Sequence, residues 1–175
     1  MRYKRRILSL CRVGIFAALL AIASWISIPF PIPVTLQLLI LFTMTQIMKL
    51  SESVSVTLVY LGLGAVGIPV FTGFQSGFGV ILGPTGGFLL GFIPSAVLLS
   101  ICFSKTQRNT IRFMISLLGL VPIYCFAVVW YTFIYGGKGA FTACVLPFLP
   151  FDIIKAAISV PLSVRLKKSF KSFVK

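Results

Sequence analysis

Six apolar stretches divide the sequence, at about 9–28, 34–49, 53–69, 84–104, 111–134 and 146–165. Runs of about 17–25 apolar residues match a hydrocarbon core near 30 Å thick, so each stretch reads as a membrane-crossing helix. The second and third are the shortest and carry Gln37, Gln46, Ser55 and Thr57. Overall 58% of residues are hydrophobic and 10% are charged, with a mean hydropathy of +1.08. A soluble domain carries about 25% charged residues. The expected fold is an all-α integral membrane protein, with six transmembrane helices in one compact bundle. At 175 residues the chain (1–175) is read as a single transmembrane domain.

The formal charge of +14 invites a nucleic-acid reading, but the cations are placed for a membrane. Arg2, Lys4, Arg5, Arg6 and Arg12 precede or enter the first stretch. Lys49 lies between stretches two and three, and Lys105, Arg108 and Arg112 lie between four and five. Arg165, Lys167, Lys168, Lys171 and Lys175 follow the sixth, whereas Lys138 stands alone on the opposite side. This is the positive-inside pattern, and it puts both termini in the cytoplasm. The basic tails are also suited to anionic headgroups of the lipid bilayer. Localisation in the inner (cytoplasmic) membrane is expected, and no nucleic-acid partner.

The N-terminus has the outline of a signal peptide, with Ala21-Ile22-Ala23 where a cleavage site would fall. With further membrane-type segments downstream, an uncleaved first span is the reading adopted. Cys11, Cys102, Cys125 and Cys144 have no paired spacing, and there is no histidine, so neither a metal site nor a disulfide framework is indicated. No nucleophile–base constellation points to an enzyme. The phosphate-loop pattern Gly-x-x-x-x-Gly-Lys-Ser/Thr is absent, so ATP hydrolysis by that route would fall to partners.

Only two residues are acidic, and one of them, Asp152, lies three residues from Lys155 inside the sixth stretch. Ionisable groups at membrane depth are costly and mark substrate or ion paths. At i and i+3 on a helix the two share a face, about one turn into the last span after Pro147 and Pro150. They are read as the working site, the plainer alternative being a self-neutralising structural pair. Between Ile68 and Leu82 the chain is uncharged and rich in glycine, with Phe71, Phe74 and Phe78 around Gln75 and Ser76. Such a segment suits packing over a cavity, where the rings would wall an apolar ligand and Gln75 would orient a polar head. Gln37 needs a hydrogen-bond partner in its apolar setting. Thr85 and Gly86, at the start of the fourth span, offer donors to an anionic group. Gly86, Gly87 and Gly91 leave that helix bare for close approach. In the first span Gly14–Ala18 and Ala17–Ala21 form small-xxx-small pairs, suited to a partner helix or to packing within the bundle. The prolines of Ile28–Pro33 demand a stiff, non-helical connection.

Pro33-Val-Thr-Leu-Gln37, Tyr60-Leu-x-Leu-Gly64, Gly67-Ile-Pro-Val-Phe71, Gly83-Pro-Thr-Gly-Gly-Phe-Leu-Leu-Gly-Phe92 and Pro147-Phe-Leu-Pro-Phe-Asp-Ile-Ile-Lys155 occur in this order. Together they resemble the BioY family, the biotin-binding S components of energy-coupling factor (ECF) transporters, over roughly residues 14–165. The resemblance implies a six-helix fold that holds the ligand biotin under the external loops. It also implies a transmembrane scaffold (T) subunit and cytoplasmic ATPase subunits as partners, and no cofactor. The Gly14/Ala17/Ala18/Ala21 face looks like the surface such components offer the scaffold. Two positions depart from the family's pattern. Phe151 stands where glycine usually precedes the Asp of the last motif, and Lys49-Leu-Ser-Glu52-Ser replaces a Gly-Pro turn. The alternatives are an S component for another small vitamin, an ion-coupled carrier acting alone, and a non-transporting membrane scaffold.

Overall fold

The computed structural model describes residues 2–29 and 32–173, and 77% of these residues are helical. Helix α1 runs Arg2–Trp25 and leads into a two-strand ribbon, β1 (Ser27–Ile28) paired antiparallel with β2 (Val34–Thr35). Helices α2 (Gln37–Ile47) and α3 (Leu50–Ala65) follow. A loop holding a 3₁₀ turn (Thr72–Phe74) and the short α4 (Phe78–Ile81) connects α3 to α5 (Gly86–Ser104). The chain ends with α6 (Asn109–Leu118), α7 (Leu120–Tyr135), α8 (Ala140–Cys144) and α9 (Leu149–Phe173).

Among the described residues, four helical segments are long and apolar enough to cross a membrane: Arg6–Trp25, Gly86–Ser104, Asn109–Tyr135 and Ala140–Lys168. Helices α2 and α3, with 11 and 16 residues, are shorter than the expected second and third spans. At 1.5 Å per residue α2 rises only about 16 Å. For α2 the proline-rich connection is the reason. Pro33 fixes extended geometry ahead of it, Val34–Thr35 joins the ribbon, and the Leu36 N–H bonds back to the carbonyls of Ala23 and Ile26. Ile32 and Val34 are buried, so this connection takes up depth that a helix would otherwise fill. Phe30 and Pro31 lie outside the described residues. At the other end of α2 the chain turns extended at Met48. Glu52 then accepts the Lys49 N–H (3.4 Å) and the Ser9 hydroxyl (2.7 Å), which starts α3 within the Lys49–Ser53 turn.

The fifth stretch breaks at Gly119. A proline ring clashes with the carbonyl four residues earlier, and Pro122 sets that clash at Leu118. Ser95 donates to the carbonyl of Gly119 at the break (2.8 Å), which ties α5 to the join of α6 and α7.

Helices α5 and α7 pack nearly backbone to backbone. A Cβ placed on Gly87 would lie 2.6 Å from Trp130 Cβ and 2.8 Å from Ala127 Cα, and one on Gly91 would lie 2.8 Å from Ile123 Cα. The bareness anticipated on this helix therefore serves helix–helix contact. On α1 the two small-residue pairs point different ways: Ala17 and Ala21 are buried in the core, while Gly14 and Ala18 are exposed. Helices α2 and α9 are joined by a polar clasp, in which the Gln46 amide donates to Ser159 (3.0 Å) and accepts from Ser163 (2.8 Å).

Candidate ligand-binding site

Helix α9 starts at Leu149, and the Asp152 N–H closes on the carbonyl of Phe148 (2.9 Å), which sets Asp152 in the first turn. The i,i+3 spacing brings Lys155 Nζ within 2.6 Å of Asp152 Oδ1. The other carboxylate oxygen, Oδ2, accepts the hydroxyl of Tyr124 from α7 (2.7 Å). Asp152 is 1% exposed and Lys155 7% exposed. Two charges buried this deeply persist because each neutralises the other and the spare lone pairs find donors. The carboxylate still has acceptor capacity, and the ammonium still has two N–H groups.

Both side chains line a cavity of about 780 Å³, a size at which pockets enclose small ligands. Around it stand the β2–α2 junction, the loop from Phe71 to Ser76, α4, the start of α5, and Phe148 at the foot of α9. The apolar walls are Phe71, Phe88, Phe92 and Phe148, with Leu38, Val80 and Leu89. Phe71 is held edge-on to Tyr60 at 5.6 Å, and Phe88 leans on Phe148 at 5.2 Å. Polar lining comes from Thr35, Gln37, Thr72, Gln75, Ser76 and Thr85. Gln37 is fixed from both sides: it accepts from Thr35 (2.8 Å) and donates to the Tyr60 hydroxyl. Tyr60 in turn donates to the carbonyl of Val70 (3.1 Å), which also accepts from Ser24 (2.7 Å). The chain of bonds orients one amide in the wall and anchors the loop that follows Pro69.

That loop forms the rim. Gly67, Gly73 and Gly77 take positive φ, where a side chain would be strained. Phe74 takes φ 58° despite its bulk and is 64% exposed. Its ring stacks on Trp25 at 4.8 Å, and Trp25 Nε1 donates to the carbonyl of Pro69 (3.0 Å).

Of the residues singled out in the sequence, Asp152, Lys155, Gln37, Gln75, Phe71, Phe74 and Thr85 line this one cavity. Two do not. Phe78 is 66% exposed on α4 and is absent from the lining. Gly86 faces the carbonyl of Ile81 and Trp130 Nε1, and its N–H already bonds to the carbonyl of Gly83 (3.1 Å), so it is packed rather than offered to a ligand. Thr35, within the first of the quoted motifs, orients Gln37. Tyr124, Phe88, Phe92 and Phe148 were not singled out. Phe88 and Phe92 stand at i and i+4 on α5, the spacing of one helix face. Tyr124 carries a hydroxyl in an otherwise apolar run, and a buried Tyr O–H requires a partner. Both signals were present in the sequence.

A family model described as the BioY family matches residues 1–172. The biotin transporter BioY of Thermotoga maritima is 35% identical over 161 residues, covering 91% of this chain and 95% of that protein. A probable biotin transporter BioY of Pyrococcus horikoshii is 42% identical over 109 residues, which span 62% of this chain and 64% of that protein. In structure the chain resembles the S-component for biotin from an ECF-type ABC transporter, with a TM-score of 0.88 and 24% identity. That likeness covers 96% of this chain and 95% of the other.

Proposed function

The chain belongs to the BioY family, and on that premise we propose that it captures biotin as the substrate-binding S component of an ECF-type transporter. The observation that carries this reading is the buried Asp152–Lys155 pair in the wall of an aromatic-lined cavity. Biotin has a ureido head with two N–H donors and a carbonyl, an apolar bicycle and an acidic tail. Asp152 accepts ureido N–H groups, Lys155 donates to the ureido carbonyl, and Tyr124 holds the carboxylate in place. The aromatic walls enclose the bicycle, while Thr85 and Gln75 meet the tail.

Six crossings are assigned to α1, α2, α3, α5, the α6–α7 unit and α9, with both termini in the cytoplasm and the protein in the cytoplasmic membrane. The positive-inside distribution supports this topology. The short α2 is accommodated because Ile32 and Val34 ahead of it and Met48 after it are buried in protein rather than in lipid. Calorimetric titration of the detergent-solubilised protein with biotin is expected to give saturable one-to-one binding. A folded sample that binds no biotin but binds another vitamin in competition would replace this ligand, and one that binds none would remove the capture role.

The partners are a transmembrane scaffold subunit and cytoplasmic ATPases, which supply the ATP hydrolysis. Gly14 and Ala18 are the exposed pair on α1, and a Cβ on Gly14 would meet nothing within 4 Å, so a partner helix is free to approach there. Ala18→Phe is expected to leave biotin binding intact and to abolish co-purification with the scaffold subunit. Unchanged co-purification would assign the contact to another face.

A further inference from the structure

The cavity's charge is spent on one pair. Lys155 Nζ lies 2.6 Å from Asp152 Oδ1, so an anion that reached Lys155 would also meet the carboxylate. A group that is donor and acceptor at once satisfies both partners, whereas a carboxylate offers acceptors only. Among the described residues, no cation other than Lys155 lines the cavity. The remaining polar side chains are the hydroxyls and amides of Thr35, Gln37, Thr72, Gln75, Ser76 and Thr85. These neutral groups can donate to the carbonyl of an amide or an ester as well as to a carboxylate, and none of them carries a charge that only the free acid could answer. Gly73, Phe74, Gln75 and Gly79 are exposed where they meet the cavity, so a substituent on the tail would leave by that rim.

Resting on the biotin reading, we propose that the site does not require the free acid, and that amide-linked biotin is a second substrate class. The relevant compounds have the biotin acyl group on a neutral amide, such as biotinyl-lysine. Hydrolysis of the peptide bonds of biotin-bearing proteins would supply them.

Calorimetric titration of the full chain with biotin, biotinamide, biotin methyl ester and biotinyl-lysine tests this. N1′-methylbiotin, which lacks one ureido N–H, serves as the head-group control. The three neutral-tail compounds are expected to bind within about threefold of biotin, and the control at least tenfold more weakly, as for loss of a charge-assisted contact. A loss of tenfold or more confined to the neutral tails overturns the proposal while leaving biotin capture standing. Failure of biotin itself to bind overturns both. Lys155→Gln gives a second readout: a parallel loss for biotin and biotinamide supports the proposal, and a loss for biotin alone places the tail on Lys155 and refutes it.

Discussion

Asp152→Asn is expected to weaken biotin binding at least tenfold and to lower the thermal stability of the solubilised protein. The binding loss reflects one charge-assisted contact, about 1.5–3 kcal/mol. The stability loss has a separate origin. Lys155 is 7% exposed and has Asp152 as its counterion, and removing one member of a buried pair costs about 3–5 kcal/mol because the other charge is left uncompensated. The double variant Asp152→Asn, Lys155→Met separates the two effects. It removes both charges at similar volume, so stability should recover while binding stays lost. Calorimetry and a thermal melt on the three proteins decide the matter. Full affinity in Asp152→Asn would move the ureido head elsewhere, and a double variant no more stable than the single would mean that packing, not charge, sets the cost.

A single methyl at Gly87 is expected to be nearly as damaging, although Gly87 does not line the cavity. A Cβ there would sit 2.6 Å from Trp130 Cβ, 2.7 Å from the carbonyl oxygen of Phe126 and 2.8 Å from Ala127 Cα. Two of those atoms are backbone, so the helices themselves must separate. Overpacking of this kind costs about 1–3 kcal/mol, and more where the neighbours cannot yield. Gly87→Ala should therefore lower the melting temperature by several degrees and reduce the yield of folded protein. Gly62→Ala is the matched control, with nothing within 4 Å of the added methyl, and should be neutral or slightly stabilising. If the two melt alike, α5 and α7 are not in the close register described.

How much of this was legible in the sequence depended on the kind of signal. Asp152 and Lys155 stood out because charge is rare in an apolar chain, and their spacing put them on one face. The cavity-lining role of the loop around Gln75 followed from a glycine-rich segment without charge. The length of α2 was not legible. Its residues continue an apolar run from Val34, and the pairing of Val34–Thr35 with Ser27–Ile28 across the proline-rich connection withdraws them from the helix. The outward turn of Phe78 was hidden for a similar reason. Phe71, Phe74 and Phe78 look equivalent in the sequence, but the positive φ of Gly73, Phe74 and Gly77 re-aims the chain between them. The hydroxyl of Tyr124 announced that a partner was needed, but that the partner is Asp152, 28 residues on, is set by the tertiary fold and no local pattern encodes it.

The stacking of Trp25 on Phe74 has a practical consequence. The chain has only two tryptophans, and each touches a segment that bounds the cavity: Trp25 through Phe74 and the carbonyl of Pro69, Trp130 through the carbonyl of Gly83. The protein therefore carries its own optical reporters at two points on the rim. Any rearrangement of the loop on ligand capture alters the surroundings of an indole, and intrinsic emission can follow occupancy of the cavity in real time without an attached label.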